Sequence, residues 1–221
     1  MATNGGPNII EEGLVFAVDA ANKKSYPGSG TTWIDLAGSN NGTLTNGPTF
    51  DSGNGGSFDF DGSNDEAQTS STLGLGGNSS KTFCLFVKLG SFAAMGEKSI
   101  FEYGVTSTAA HFALETRNSS QIQFNGWFRD VVVNYSDYGQ WSYLTVTHDE
   151  SSNTTSVFNN GTLLGRDTSN SLNTTDTVLK IADGRRGNSL MDLSVFQVYN
   201  RALSSSEILQ NYNALKGRFG L

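Results

Sequence analysis

Residues 190–221 read LMDLSVFQVYNRALSSSEILQNYNALKGRFGL, and this closing stretch decides the fold. Leu190, Leu193, Val195, Phe196, Val198 and Tyr199 place apolar side chains on both faces of an extended run. That pattern predicts a strand over 190–199 covered on two sides, inside a sandwich rather than on its skin. Ser204 to Glu207 has the Ser-x-x-Glu spacing of a capping box, in which each side chain satisfies a free backbone amide of the other. Leu203 and Ile208 flank it where a hydrophobic staple closes. Ile208, Leu209, Tyr212 and Leu215 then recur at helical spacing, so a helix is expected over 204–216, with Gly217 placed to end it.

Upstream of this stretch the chain is rich in turn formers and poor in helix signal. It has 26 glycines and 3 prolines in 221 residues, and charged residues make up only 16%. Such a composition suits many short strands joined by turns. Strands are expected over 13–19, 42–45, 57–61, 82–89, 98–103, 110–116, 121–125, 130–134, 141–148, 154–159, 163–166 and 177–181. Phe83, Leu85, Val87 and Leu89 alternate with Cys84 and Phe86, the pattern of a central strand buried on both faces. Trp141 and Tyr143 point one way from their strand, Leu144 and Val146 the other. Asn159-Asn160-Gly161 predicts a tight hairpin turn, because these residues tolerate positive φ. No linker or fixed repeat divides the chain, so residues 1–221 read as one all-β domain: an arm (1–12), a sandwich, the helix and a tail (217–221).

Charge and cysteine content exclude several functions. The net charge is −7 and no basic stripe exists, which argues against nucleic acid as a partner. Lys23-Lys24 and Arg185-Arg186 read as solvated turns. The single cysteine, Cys84, reads as a packed strand residue. No apolar run approaches the ~20 residues of a membrane helix, and residues 1–12 lack the basic start and apolar core of a secretory signal. Synthesis in a host cytoplasm without export is the resulting expectation.

Three blocks carry a family resemblance. The first is residues 13–66, with Trp33-Ile-Asp-Leu36, Asn40-Asn-Gly-Thr-Leu44 and Phe60-Asp-Gly62; the others are QWSYLTVTHDESSNTTSVFNNG (140–161) and YNRALSSSEI (199–208). In this order they resemble LamG-like jelly rolls of the laminin G/pentraxin type, in the concanavalin A-like lectin/glucanase superfamily. PGSGTTW (27–33) and NYNALKGRFG (211–220) are most similar to modules in structural proteins of tailed bacteriophages. The resemblance implies an antiparallel two-sheet jelly roll with a C-terminal helix. It also implies a non-enzymatic virion protein, decorating the capsid or built into the tail or fibres. Its partners would be other virion proteins, copies of itself and cell-surface glycans. A free lectin, with or without calcium, is the alternative, and a glycoside hydrolase the less favoured one.

Candidate residues follow from chemistry and from the resemblance together. Asp59, Asp61 and Asp65 offer hard oxygens to a calcium ion if the turn at Gly62 brings Asp65 round to the strand. The same residues also read as ordinary outward strand and turn positions. Where relatives carry acidic residues in the closing strand, this chain has Ser194. For glycans, Trp127, Phe128, Tyr135 and Tyr138 form a polar and aromatic stretch suited to stacking on sugar CH groups. Trp127 and Phe128 alternatively cover the core edge, while Trp33 and Trp141 match packing positions. No Glu-x-Asp-x-x-Glu strand or Gly-x-Ser-x-Gly elbow is present, and Glu97, Glu102 and Glu115 fall on separate segments, so no catalysis is expected. His111 and His148 read as strand residues. Phe219 and Leu221 make the tail apolar and are expected to dock on this domain or on a neighbouring subunit.

Overall fold

The structure, a computed structural model, describes residues 7–221; residues 1–6 of the expected arm lie outside the described residues. In chain order the strands are β1 (Leu14–Asp19), β2 (Thr32–Trp33), β3 (Gly42–Thr45), β4 (Thr49–Asp51), β5 (Ser57–Asp61), β6 (Glu66–Thr72) and β7 (Lys81–Leu89). A single helical turn, α1 (Phe92–Met95), precedes β8 (Ser99–Gly104), β9 (His111–Asn118), β10 (Gln121–Asn125) and β11 (Val131–Asn134). Then come β12 (Trp141–Asp149), β13 (Thr154–Asn159), β14 (Thr162–Asp167), β15 (Val178–Ile181), β16 (Leu190–Tyr199) and α2 (Ser205–Leu215).

These strands build two antiparallel sheets that face each other across one core. The first runs β14-β13-β12-β7-β16-β5-β4, with β1 also paired to β16; the second runs β11-β10-β9-β8-β15-β6-β3-β2. Inward side chains interdigitate: Phe83 of the first sheet stacks on Phe101 of the second at 5.3 Å, and Phe112 and Phe196 close around that pair. Trp33, fully buried, meets Phe58 edge-on at 4.8 Å. β7 lies between β12 and β16, buried on both faces as its alternation predicts. The turn joining β13 to β14 has φ of 51° at Asn160 and 79° at Gly161, the left-handed pair a tight hairpin needs.

β16 holds the first sheet together by changing partners midway. Leu190–Leu193 pairs with β5, and Val195–Tyr199 pairs with β1. Ser194 sits at the bulge between them; its hydroxyl donates to the Gly56 carbonyl at 2.6 Å, and its own carbonyl accepts the Ala20 amide at 2.9 Å. A small buried hydroxyl at this position thus helps join three segments.

A second, smaller core lies on the outer face of the first sheet. Cys84, Phe86, Tyr143, Phe158, Val195 and Tyr199 point outward there, and α2 with the 3-10 turn Lys216–Phe219 covers them. The capping box forms as read: Ser204 and Glu207 exchange their reciprocal hydrogen bonds, and Leu203 and Ile208 are buried beneath. Gly217 does not end the helical run. The chain tightens into the 3-10 turn and stops at Gly220, whose φ of 71° is the left-handed terminator. Burial raises the Cys84 thiol to about 11, which leaves it inert at neutral pH.

Phe219 belongs to this second core. Its ring stacks on Phe86 at 4.0 Å and leans on Trp141 at 4.5 Å. Arg218 beside it binds both carboxylate oxygens of Asp19, at 2.9 and 3.1 Å, and the Ser194 hydroxyl at 2.8 Å. Phe219 is thus an internal contact and not a surface for another subunit, while Leu221 stays exposed. The physical reason is the bare aromatic face of β7 and β12, which the tail must cover to keep it from water.

Candidate functional site

The outer face of the second sheet is polar where the first is apolar. Strand alternation sends Phe101, Phe112, Leu114 and Phe124 into the core and Glu102, His111, Glu115, Gln123 and Asn125 outward. Register aligns them, with Gln123 opposite Glu115 and Asn125 and Glu102 both opposite Ala113. Yet Glu115 and His111 have no exposed surface, and Gln123 and Asn125 almost none. The cover is the loop joining β15 to β16, which folds back over the sheet. Gly184 permits that approach, since a Cβ there would stand 2.8 Å from Ser99 and from the Glu102 carboxylate.

Arg185 and Arg186 come down from this loop onto Glu115. Arg185 Nε donates to Glu115 Oε1 at 2.8 Å and its Nη2 to Oε2 at 3.1 Å; Arg186 Nε donates to Oε2 at 2.8 Å. Gln123 and Asn125 add side-chain amides at 2.8 and 3.1 Å, and Arg186 also pairs with Glu97. The pair expected in a solvated turn is therefore the counter-charge of a buried carboxylate. Burial alone would raise the Glu115 carboxyl, but the hydrogen bonds from Arg186, Gln123 and Arg185 outweigh it and hold it below the usual range. Glu102 follows the same balance: burial raises its carboxyl, while His111 and the Arg185 amide, 2.7 Å away, lower it overall. His111 Nε2 lies 3.1 Å from Glu102 Oε2 but out of line for a hydrogen bond, and Nδ1 is 3.3 Å from Asn125 Oδ1. A glycosidase acid needs a raised carboxyl. Both glutamates on this face are shifted the other way.

At the margin of this face stands the loop Gly126–Asp130, which joins β10 to β11. Trp127 and Phe128 are consecutive non-glycine residues at φ of 54° and 69°. Such backbone costs roughly 1–3 kcal/mol per residue and persists only where surroundings impose it. Here the Trp127 amide donates to Asn125 Oδ1 at 2.9 Å and the Gly126 amide to Asp130 Oδ1 at 3.0 Å. The Trp127 carbonyl accepts from Ala109 at 3.1 Å, and the Arg129 carbonyl from Asn170 at 2.9 Å. The Arg185 guanidinium sits 5.1 Å above the indole, joining the loop to the charged network. Phe128 is left 78% exposed, so it does not cover the core edge.

Tyr135 and Tyr138 are elsewhere. Gln121 pairs with Asn134 and Phe124 with Val131, so the two tyrosines follow β11 at the end away from Trp127. Tyr135 is buried, with its hydroxyl on Ser142 at 3.1 Å; Tyr138 donates to the Asn118 and Gln121 carbonyls at 2.9 and 3.2 Å. Burial raises the Tyr138 phenol to about 12. The expected four-residue platform is thus two places, a half-buried Trp127 beside an exposed Phe128 and an internally bonded tyrosine pair, because β11 carries its start, at the Trp127 loop, and its end, at Tyr135, to opposite rims.

The three aspartates do not form a cation cage either. Asp61 Oδ1 accepts the Ser63 amide at 2.7 Å and the Asn64 amide at 3.4 Å, and Asp65 Oδ2 accepts the Asp61 amide at 3.1 Å. These bonds build the turn at Gly62. Asp59 lies opposite Asp192, which pairs with Lys88; burial first, then the charges of Asp192 and Asp65, raise its carboxyl. Among the described residues no group of three or more His, Cys, Asp or Glu converges as metal ligands. The donor set does not fit calcium at this turn.

What sequence reading missed is the convergence of Glu102, His111 and Glu115 with Arg185 and Arg186. Its signal was present: polar outward positions on three successive strands, and an Arg pair flanked by Gly184 and Gly187.

Solved structures sharing this sandwich include binding domains of clostridial toxins. The binding domain of Paraclostridial Mosquitocidal Protein 1 matches with a TM-score of 0.72 at 15% identity, covering 92% of this chain and 52% of that one. The botulinum neurotoxin serotype D binding domain matches with a TM-score of 0.71 at 14% identity, covering 92% and 51%. The serotype D ligand-binding domain in complex with N-acetylneuraminic acid gives 0.70 at 13% identity, covering 92% and 51%. This chain therefore spans about half the length of those domains, and at these identities the likeness shows the fold. No protein of curated function matches the sequence significantly. The model of a laminin G family matches residues 61–209, and the chain belongs to the concanavalin A-like lectin/glucanases superfamily.

Proposed function

We propose that this domain is a non-catalytic, lectin-like module that binds a cell-surface glycan at Trp127 and Phe128. One observation carries the reading: an almost bare phenyl ring is held out by strained backbone, beside an indole that Arg185 ties to a buried polar network. Folding gains little from a large ring left in water on such backbone. A sugar does, because an exposed ring stacks on its CH face while neighbouring polar groups take its hydroxyls. Superfamily membership and the carbohydrate bound by a related fold support the class of ligand. The test is a glycan array read with wild type and Phe128→Ala. A bound glycan whose affinity falls at least tenfold in the variant is the expected result. Absence of any bound glycan, or equal binding by the variant, overturns the assignment.

A second reading concerns setting. The likeness of residues 27–33 and 211–220 to phage modules favours a place on a virion, on capsid or tail, beside other virion proteins and further copies of this chain. Mass spectrometry of purified particles decides it: stoichiometric presence upholds this setting, and recovery only from the soluble lysate removes it.

A further inference from the structure

A second site stands at the opposite rim, where the open edges of the two sheets meet. Gly165 brings β14 onto β11; a Cβ there would stand 2.8 Å from Val133 Cγ1. Beside that contact is a cleft of about 460 Å3, lined by Asn134, Tyr135, Asp137, Asn159 and Leu164 with two serines at its mouth. Its size falls within the roughly 300–1,000 Å3 of small-ligand sites. Asn159 Nδ2 donates to Asp137 Oδ2 at 2.8 Å. A carboxylate only accepts, so this bond fixes the amide orientation and turns Asn159 Oδ1 away from Asp137. That oxygen is buried and accepts no hydrogen bond from the protein.

We infer that this cleft is a separate binding site for one neutral pyranose unit. A sugar hydroxyl supplies the donor that Asn159 Oδ1 lacks, an adjacent hydroxyl donates to Asp137, and the exposed Asn134 amide serves as donor or acceptor to a third. Leu164 and the edge of Tyr135 meet the ring carbons. Asp137 is the only charged group in the lining, which disfavours acidic sugars. The site shares no residue with the Trp127 loop, so each stands or falls alone.

The experiment is a two-dimensional NMR titration of isotope-labelled protein with methyl α-mannopyranoside, methyl β-galactopyranoside and N-acetylglucosamine. Saturable shifts of the Asn159 side-chain amide and the Ser136 and Asp137 backbone amides are expected with at least one sugar. The affinity read from the Ser136 and Asp137 amides should weaken at least tenfold in Asn159→Ala and several-fold in Asn134→Ala, an exposed position chosen to leave folding intact, and persist in Phe128→Ala. Shifts confined to the Trp127 indole, no shift at the cleft with any of the three sugars, or unchanged cleft binding in Asn159→Ala each overturn the inference. Cleft shifts without indole shifts uphold it.

Discussion

The outer faces of the two sheets were built by the same alternation of side chains and ended differently. On the first sheet, outward Phe86, Tyr143 and Tyr199 made an apolar surface that only more protein could cover, and α2 with Phe219 covers it. On the second, the buried Glu115 demanded counter-charge, and a glycine-flanked loop delivered it in Arg185 and Arg186. An apolar face is closed by area and is indifferent to detail. A charged face is closed by named bonds, and it leaves donors, rings and edges at its margin where a ligand can act. The proposed recognition residues, Trp127 and Phe128, stand at that margin, beside the charged face.

The largest expected effect tests the covered face. Phe219→Ala removes a stacked, buried ring and should cost about 4 kcal/mol in urea unfolding, without altering glycan binding. A cost under about 1 kcal/mol would mean that the tail is no part of the core. Glu115→Gln tests the other face. It leaves Arg185 without its charge partner and Arg186 with Glu97 alone, and because both guanidinium groups reach water the loss should be about 2 kcal/mol at neutral pH. Acid then separates the two faces. The Glu115 carboxyl is held below its ordinary value, so its contribution is complete above the unfolded value near 4.5 and disappears as pH falls through the folded one. The gap between wild type and Glu115→Gln should therefore shrink below pH about 4.5, whereas the Phe219→Ala gap should stay constant across the same range.

The closing strand, the helix and its capping box were legible because each rests on residues a few positions apart. The paired-face burial of β7 was equally plain from Phe83 to Leu89. Short β2 and β4 escaped, since two or three residues carry no period, and β6 escaped because its sequence EAQTSST is polar except at Ala67. The site was only half legible. Phe128 stood out as an aromatic in a polar loop, but the partners of Glu115 lie about seventy positions away, and no local pattern says that a loop will fold back onto a strand's outer face. Tyr135 was grouped with Trp127 by sequence proximity, and the hairpin separated them. The aspartates allowed both a calcium reading and an ordinary turn reading because turn-building carboxylates and cation-binding carboxylates share one spacing; the amides of Ser63 and Asn64 on Asp61 favour the turn.

Ser194 marks where β16 trades β5 for β1, and that exchange governs when the chain can fold. β1, the first strand of the domain, has β16, the last, as its strand partner, and Arg218 then ties the end of β1 to the tail. Contact order is high, so folding should be slow and held back until the final strand and helix emerge, and a chain cut short before residue 190 has no stable half to fall back on.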